Sequence, residues 1–272
     1  MEGRLLVIIL LGVAVAASGC TKPKPKYKDN RATNQNSQLW NGLQIETFKI
    51  TDKTLRPGQR AIITLKAKNY IPRELDPRVF LYNTGALNVS EPSCTSGKVK
   101  AAKQGVYPGM RCTWEVEAPG GEAVRGFPSK QVTVKLHLEY RSRIKNRRPL
   151  KLEFKPALKI NRSKKKAVSF GNPEVSVTME TEAPVAVETG GMLTFKIVED
   201  GKGRLGSNLR FNYTPENLFK GCPETDKPVI GNKLTATCRV QSSQKATRNL
   251  FLSTSYKYIK EPTLDIRLVN NQ

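Results

Sequence analysis

Residues 132–140 read VTVKLHLEY, with apolar side chains at every second position from Val132 to Tyr140 and polar side chains between them. Successive side chains of an extended chain point to opposite faces, so this alternation predicts a β-strand with one buried and one solvent-facing side. No long apolar stripe at 3.6-residue spacing competes with it elsewhere in the chain. The stretch therefore predicts a protein built from strands.

The same alternation recurs on both sides of this stretch. Residues 112–117 place Cys112, Trp114 and Val116 on one strand face. Glycine- and proline-rich breaks separate such segments and are typical of turns between strands. Further alternating segments occupy residues 61–68, 150–154, 175–179, 193–197, 209–213, 234–240, 250–256 and 264–268. We expect 150–154 to close a first unit and 264–268 to end a second.

The order of features is repeated in the two halves of the chain. Each half has a strand, a turn, a second strand, a cysteine, a loop, a second cysteine on a strand, and a late strand that ends in tyrosine, Tyr140 or Tyr256. The repetition indicates a degenerate tandem duplication. We therefore predict an all-β fold of two tandem immunoglobulin-like β-sandwich domains, over residues 39–160 and 168–272, joined by a basic linker at 161–167.

The amino-terminal segment predicts export. Residues 5–17 are apolar or small, the length of a signal-peptide core and shorter than the ~20 residues of a spanning helix. The sequence Ala17-Ser18-Gly19-Cys20 resembles the lipobox of prokaryotic lipoproteins, with Ala where Leu is usual. That resemblance implies a signal peptide over 1–19 and lipidation of Cys20. The alternatives are a short uncleaved anchor or ordinary cleavage near the alanine-rich segment.

Residues 20–38 are rich in lysine and proline and almost free of large apolar side chains. Such a composition cannot form a core, so it predicts a disordered tether, extended where lysine and proline alternate. Beside a lipid anchor its positive charge would add attraction to acidic headgroups. The alternative is a solvated spacer whose charge only keeps it open.

The five cysteines predict two disulfides and an oxidising compartment. Cys94–Cys112 and Cys222–Cys238 are sequence-local pairs, each closing a short loop and each worth ~3 kcal/mol by loop entropy. The odd thiol, Cys20, is at the lipidation position. Free thiols or a zinc site are disfavoured because there is no Cys-x-x-Cys and a single histidine. The predicted location is extracytoplasmic, at the cell surface or in a periplasm.

The net charge of +23 predicts a polyanionic partner. Between residues 141 and 166 the only acidic residue is Glu153. We predict a polyanion-binding ridge there, with arginine forks that match phosphate, sulfate or carboxylate groups. Its residues are Arg141, Arg143, Lys145, Arg147, Arg148, Lys151, Arg162, Lys164, Lys165 and Lys166. The alternative is an exposed hairpin and linker that like charge keeps soluble.

The sequence predicts no catalytic, cofactor-binding or metal-binding residue, and hence no enzyme. The single histidine, His137, has no partner for a triad or a multi-histidine metal site and is expected to be structural. The carboxylate pairs Glu115/Glu117 and Glu180/Glu182 share strand faces, yet a solvated face is favoured over calcium binding or glycosidic chemistry. Three sequons, at Asn88, Asn161 and Asn212, permit glycosylation.

Each unit resembles the immunoglobulin-like modules of archaeal and bacterial surface proteins of the cell-adhesion-related (CARDB) type. The resemblance rests on residues 48–52 and 55–59, the strand that follows to Asn69, and Cys112-Thr113-Trp114. In the second unit it holds only in outline, since residues 187–191 replace the Leu-Arg-Pro-Gly-Gln motif. The resemblance implies an extracytoplasmic spacer, adhesion or assembly role and transfers no catalytic residue.

Together these features predict a lipid-anchored binding or structural protein that presents a basic surface to anionic envelope polymers or a partner subunit. Its role would be adhesion or envelope assembly, with the membrane held through Cys20 and the tether. The alternative is an exported nucleic-acid-binding component of a DNA uptake or conjugation-type apparatus. The absence of aromatic residues among the ridge cations disfavours a base-stacking site. A hydrolase with an unrecognised site is the third hypothesis.

Overall fold

The computed structural model describes residues 42–120, 128–199, 201–206, 209–222, 225–227 and 232–270. Within these ranges the chain forms strands and short turns, and no helix there is long and apolar enough to cross a membrane. The all-β prediction is confirmed. The predicted signal peptide at 1–19, the lipidated Cys20 and the tether at 20–38 lie outside the described residues.

The strands up to residue 155 are β1 (Leu43–Ile50), β2 (Thr54–Leu55), β3 (Arg60–Asn69), β4 (Arg78–Tyr82), β5 (Asn88–Val89), β6 (Ser93–Cys94), β7 (Gly109–Glu117), β8 (Ser129–Lys145) and β9 (Leu150–Lys155). Those that follow are β10 (Lys164–Gly171), β11 (Val175–Ala183), β12 (Val185–Ala186), β13 (Gly191–Glu199), β14 (Arg204–Leu205), β15 (Leu209–Thr214), β16 (Phe219–Lys220), β17 (Thr225–Lys227), β18 (Lys233–Val240), β19 (Ala246–Lys260) and β20 (Thr263–Val269). Single 3-10 turns occupy Ala157–Lys159 and Glu216–Leu218.

Two sandwich-like domains are built on the same plan. The first contains a sheet ordered β1-β3-β7-β5, with β6 paired to β7, together with strands β4, β8, β20 and β2. In the second, a sheet ordered β10-β11-β13-β18-β16 accompanies β15, β19, β9 and β12. The buried alternate residues of these strands, such as Leu65, Trp114 and Phe195, form the apolar core. The predicted sandwich architecture is confirmed.

The last strand of each domain comes from the other half of the chain. Strand β9 pairs with β19, not with β8, and β20 pairs with β8, not with β19. Residues 150–154 therefore do not close the first sandwich, and 264–268 do not end the second. Alternation defines a strand and its buried face, but it does not identify the neighbouring strand. The exchange of β9 and β20 could therefore not be predicted from the sequence.

The predicted linker is also partly strand. Lys164, Lys165 and Lys166 begin β10, which is the edge strand of its sheet. The predicted domain limits, 39–160 and 168–272, stay a prediction, because strand pairing does not decide which residues fold independently.

Strands β8 and β19 pair with each other and join the two sandwiches. Their register runs from Leu138↔Lys260 to Lys145↔Ser253. It continues without a shift into β20, where Lys135 pairs with Thr263. Beyond a short break it resumes at Leu150↔Leu250 in β9. Residues 129–155 thus lie antiparallel to residues 246–269, and we call this pair of segments the central ribbon.

Asn146 bridges the break in the central ribbon. There residues 146–149 lie opposite residues 251 and 252, so regular pairing is interrupted. The side chain of Asn146 accepts a hydrogen bond from the Leu252 N–H at 2.7 Å and donates to the Leu250 carbonyl at 3.2 Å. The residue is buried. It therefore satisfies the two backbone groups that the bulge would otherwise leave unpaired.

Both predicted disulfides are present. Cys94 and Cys112 are direct partners on β6 and β7. Cys222 follows β16 and reaches Cys238 on the neighbouring strand β18. Each bond staples adjacent strands of one sheet, as the short sequence spacing predicts. Disulfides of this kind are typical of extracytoplasmic proteins.

A buried polar cluster lies under the middle of the central ribbon. Glu174, in the β10–β11 turn, accepts a short hydrogen bond from the Tyr140 hydroxyl. The Lys260 ammonium lies 3.3 Å from the same carboxylate and donates to the Leu43 carbonyl at 2.7 Å. Burial raises the pKa of Glu174, an effect that the charge of Lys260 opposes. Gly42 has φ +65°, and a Cβ there would collide with the Glu174 carboxylate.

We predict that Asn146→Ala lowers the free energy of unfolding by about 2 kcal/mol or more, because two buried backbone groups lose their partner. Urea unfolding followed by circular dichroism measures this change. The control is Asn88→Ala, an exposed asparagine, with an expected change within about 0.5 kcal/mol. Equal unfolding midpoints for the two variants would show that Asn146 does not support the ribbon.

Candidate polyanion-binding surface

The outward side of the central ribbon carries a line of cations. Arg141, Arg143 and Lys145 are exposed on β8, while the residues between them are buried. Residues two apart on a strand lie about 7 Å from each other along it. Past the break, Lys151 of β9 is exposed on the same side, since it pairs with Asn249 as Lys145 pairs with Ser253. Four of the predicted ridge residues therefore share one sheet face.

Two neighbouring strands add cations that the sequence prediction missed. Lys257 of β19 is the direct partner of Arg141. Arg210 of β15 pairs with Ser255, which in turn pairs with Arg143. Direct partners place their side chains on the same side of a sheet. We define the basic face as Arg141, Arg143, Lys145, Lys151, Lys257 and Arg210.

Local contacts position several of these side chains. Arg143 donates from Nε to the Ser253 hydroxyl at 2.6 Å. The Lys145 ammonium lies 5.6 Å from the centre of the Phe251 ring, a cation–π contact. Lys257 pairs with Glu139 at 3.1 Å and is thus partly neutralised. Arg143 and Lys145 are held in place by uncharged groups, and neither forms an ion pair with a carboxylate among the described residues.

The lysines of β10 are engaged differently. Lys165 lies 2.7 Å from Glu180, which also pairs with Lys196. Hydrogen bonds from these two ammonium groups lower the pKa of Glu180. Lys166 donates to the Lys151 carbonyl at 3.3 Å. Lys165 therefore already has a counter-charge, and Lys166 is tethered beside the basic face.

The remaining predicted ridge residues are exposed but are not part of the basic face. They are Arg147 and Arg148 in the break of the central ribbon, Arg162 in the loop before β10, and Lys164 at the start of β10. The exposed hairpin that the sequence offered as an alternative is absent here, because β8 and β9 run in the same direction along β19. The four ridge residues of the basic face lie on β8 and β9, on either side of the break.

Lys257 and Arg210 were missed for an identifiable reason. The alternation of β19 places Lys257 opposite to the buried Tyr256 and Tyr258, so its outward direction was predictable. Its position beside Arg141 depends on the β8–β19 pairing, for which the sequence holds no signal. Arg210 is a further strand away and depends on the same pairing.

His137 packs among charged and aromatic neighbours on the outward side of β8. Its Nδ1 lies 3.2 Å from Glu261 and its ring stacks on Phe80 with centroids 4.6 Å apart. Glu261 also accepts hydrogen bonds from Arg204, which lower its pKa to about 2. Phe80 is partly exposed. These contacts fit the packing role expected for His137.

The carboxylate pairs flagged in the sequence are spread among separate partners. Glu117 forms an ion pair with Arg60 at 2.9 Å, and Glu182 accepts a hydrogen bond from Ser163 at 2.9 Å. Among the described residues no group of three or more His, Cys, Asp or Glu side chains is placed to hold a metal ion.

Comparisons with known proteins identify no family. No family model matches the chain, and no curated protein matches it. Among solved structures, the secreted serine protease VesC from Vibrio cholerae aligns with 84% of this chain at 12% identity and a TM-score of 0.24. The chain spans about half, 52%, of that structure. Collagen adhesin (CNA) from S. aureus aligns with 86% of this chain and 94% of its own length, at 8% identity and a TM-score of 0.17.

Scores this low do not define a shared fold, and the likeness to CARDB-type modules stays a prediction. The class that the structure itself defines is a mostly β protein of sandwich-like domains with two disulfides. Its distinguishing feature is a sheet face of cations drawn from four strands.

We predict that Arg204→Gln flattens the acid dependence of stability. The depressed pKa of Glu261 means that its ion pair stabilises the fold above about pH 4.5 and is lost as pH falls towards 2. Without Arg204 the pKa returns towards its ordinary value, so the variant is less stable than the parent at pH 7. The difference should vanish near pH 2, and thermal unfolding across this range measures it. A constant difference at all pH values would contradict the assignment.

Proposed function

We propose that the protein is an extracytoplasmic binding protein that presents its basic face to an anionic envelope polymer, in adhesion or envelope assembly. The observation that supports this best is the placement of Arg141, Arg143 and Lys145 on one strand face, with further cations from adjacent strands. A surface with one sign of charge raises the local concentration of an oppositely charged ligand and speeds its association.

The rigidity of this surface favours a polymer as ligand. Cations on a strand are spaced at about 7 Å and cannot spread apart as they would on a flexible tail. A polymer with regularly repeated anionic groups can contact several of these cations at once, and the protein loses little conformational entropy on binding. Arg141 and Arg143 add a planar fork that binds two oxygen atoms of one anionic group.

The compartment supports the same proposal. Disulfides persist outside the cytosol, where the abundant polyanions are envelope polymers and lipid headgroups. A lipid anchor at Cys20 and the basic tether at 20–38 would hold the domains near such polymers. We propose no enzymatic activity and no cofactor. The described surface offers charge and shape for binding.

We predict that Arg141→Gln/Arg143→Gln/Lys145→Gln lowers affinity for immobilised dextran sulfate at least about tenfold at low salt. The matched control, Lys164→Gln/Lys165→Gln/Lys166→Gln, removes the same charge. Its effect should be smaller, because Lys165 is already paired with Glu180. Retention of the full chain at increasing salt measures both, and the face variant should show the shallower salt dependence.

The same experiment separates the competing functions. Equal losses from both variants would show that total charge, not the basic face, governs binding. Retention on duplex DNA that exceeds retention on dextran sulfate and on a carboxylated polysaccharide would favour the nucleic-acid alternative. Absence of retention on every polymer at low salt would remove the polymer proposal and leave an acidic partner subunit.

The anchor has its own test. We predict that the mature amino terminus is Cys20 carrying acyl chains when the gene is expressed in a prokaryote with lipoprotein processing. Mass spectrometry of the purified protein detects it, and Cys20→Ser should abolish the acylated mass and release the protein from membranes. An intact leader with an unmodified Cys20 would disprove the anchor.

A further inference from the structure

A cleft of about 460 Å³ opens at one end of the basic face, between β8 and the segment that leads into β4. Strand β4 pairs with the edge of β8 opposite β19, and this pairing ends at Arg78↔Glu139. The edge of β8 beyond Glu139 has no strand beside it in the described chain. Arg73 covers it instead, donating from Nη2 to the Arg141 carbonyl at 3.1 Å.

One hydrogen-bond donor of the Arg73 guanidinium has no acceptor among the described residues. This donor, Nε, is buried. A buried N–H without an acceptor is destabilising, and more so when the group is charged. Burial is also the main reason why the pKa of Arg73 is lowered, and the charge of Arg143 acts in the same direction. An anion beside Arg73 would accept a hydrogen bond from Nε, offset the cost of burying the guanidinium charge and weaken its repulsion by Arg143.

The cleft carries an excess of unpaired positive charge. Its cations are Arg73, Arg78, Arg141 and Lys257, and its carboxylates are Glu74, Asp76 and Glu139. Glu139 is paired with Lys257 at 3.1 Å, and Glu74 lies 3.7 Å from Lys98 outside the cleft. Among the described residues the three arginines form no ion pair with a carboxylate. Three guanidinium groups therefore face one remaining acid, Asp76.

We infer that this cleft seats a tetrahedral oxyanion, the sulfate or phosphate ester group of an anionic chain, between Arg73 and Arg141. The inference rests on the proposed function and adds the chemical class of the anionic group and the residues that bind it. Arg73 and Arg141 reach the cleft from separate segments, the one that leads into β4 and strand β8. A sulfate or phosphate monoester offers three terminal acceptor oxygens in three directions, whereas a carboxylate offers two in one plane.

The test uses the full chain and sodium sulfate, sodium phosphate and sodium acetate at constant ionic strength, with isothermal titration as the readout. Sulfate or phosphate should bind and acetate should not. Arg73→Lys and Arg141→Lys retain the charge but lose the guanidinium fork, so each should weaken oxyanion binding by about tenfold. The control is Arg56→Lys, the same change at an exposed turn, which should leave it unaltered.

Arg141→Lys keeps the inference testable if Arg73→Lys fails to fold, because only the backbone carbonyl of Arg141 supports the edge. Unchanged oxyanion affinity in a folded Arg141→Lys variant, or equal binding of acetate, would overturn the inference. Retention on dextran sulfate without such effects would leave the polymer proposal standing and remove the cleft. Oxyanion binding without polymer retention would support the cleft and remove the polymer proposal.

Discussion

The antiparallel pairing of β8 with β19 is the constraint on which the rest of the structure depends. It joins the two sandwiches through backbone hydrogen bonds, and the buried polar cluster beneath it adds side-chain contacts between them. It also aligns the end of each long strand with the final strand of the other half, so β9 and β20 exchange places. The register is constant from Ser129↔Val269 to Lys145↔Ser253 and shifts by two residues at the break before β9. A slip of one residue on either side of the break would turn the buried side outward.

The buried polar cluster under this pairing lies within a core that is otherwise largely apolar. Tyr258 donates to Glu199 at 2.7 Å, and Asn172 donates to the Tyr256 hydroxyl at 2.7 Å. Burial raises the pKa of both tyrosines. Such groups are stable inside a protein only when each finds a partner in a fixed geometry. The cluster connects the β10–β11 turn to the ribbon through the contacts of Glu174 and Asn172 with Tyr140 and Tyr256.

The sequence predicted strands, buried faces and sulfur pairs because each is a local property. Alternation at Val132 to Tyr140 fixes which side chains are buried, and short spacing limits which cysteines meet. It could not predict which strand lies beside β8, since several segments alternate equally well. The same limit applies to the prediction of the basic face. Arg141 was found from its local charge density, whereas Lys257 and Arg210 join it only through long-range strand pairing.

Neither disulfide links one sandwich to the other, so covalent bonds do not hold the basic face together. Cys94–Cys112 and Cys222–Cys238 each staple the sheet that lies away from the central ribbon. Within the described chain, the cations of β8, β19 and β15 stay adjacent through backbone pairing, the buried core beneath the strands and local contacts such as Arg143–Ser253. Like charges at such spacing repel, and their repulsion opposes the pairing that holds them together. A bound polyanion would remove that opposition, so binding and the integrity of the ribbon are thermodynamically linked.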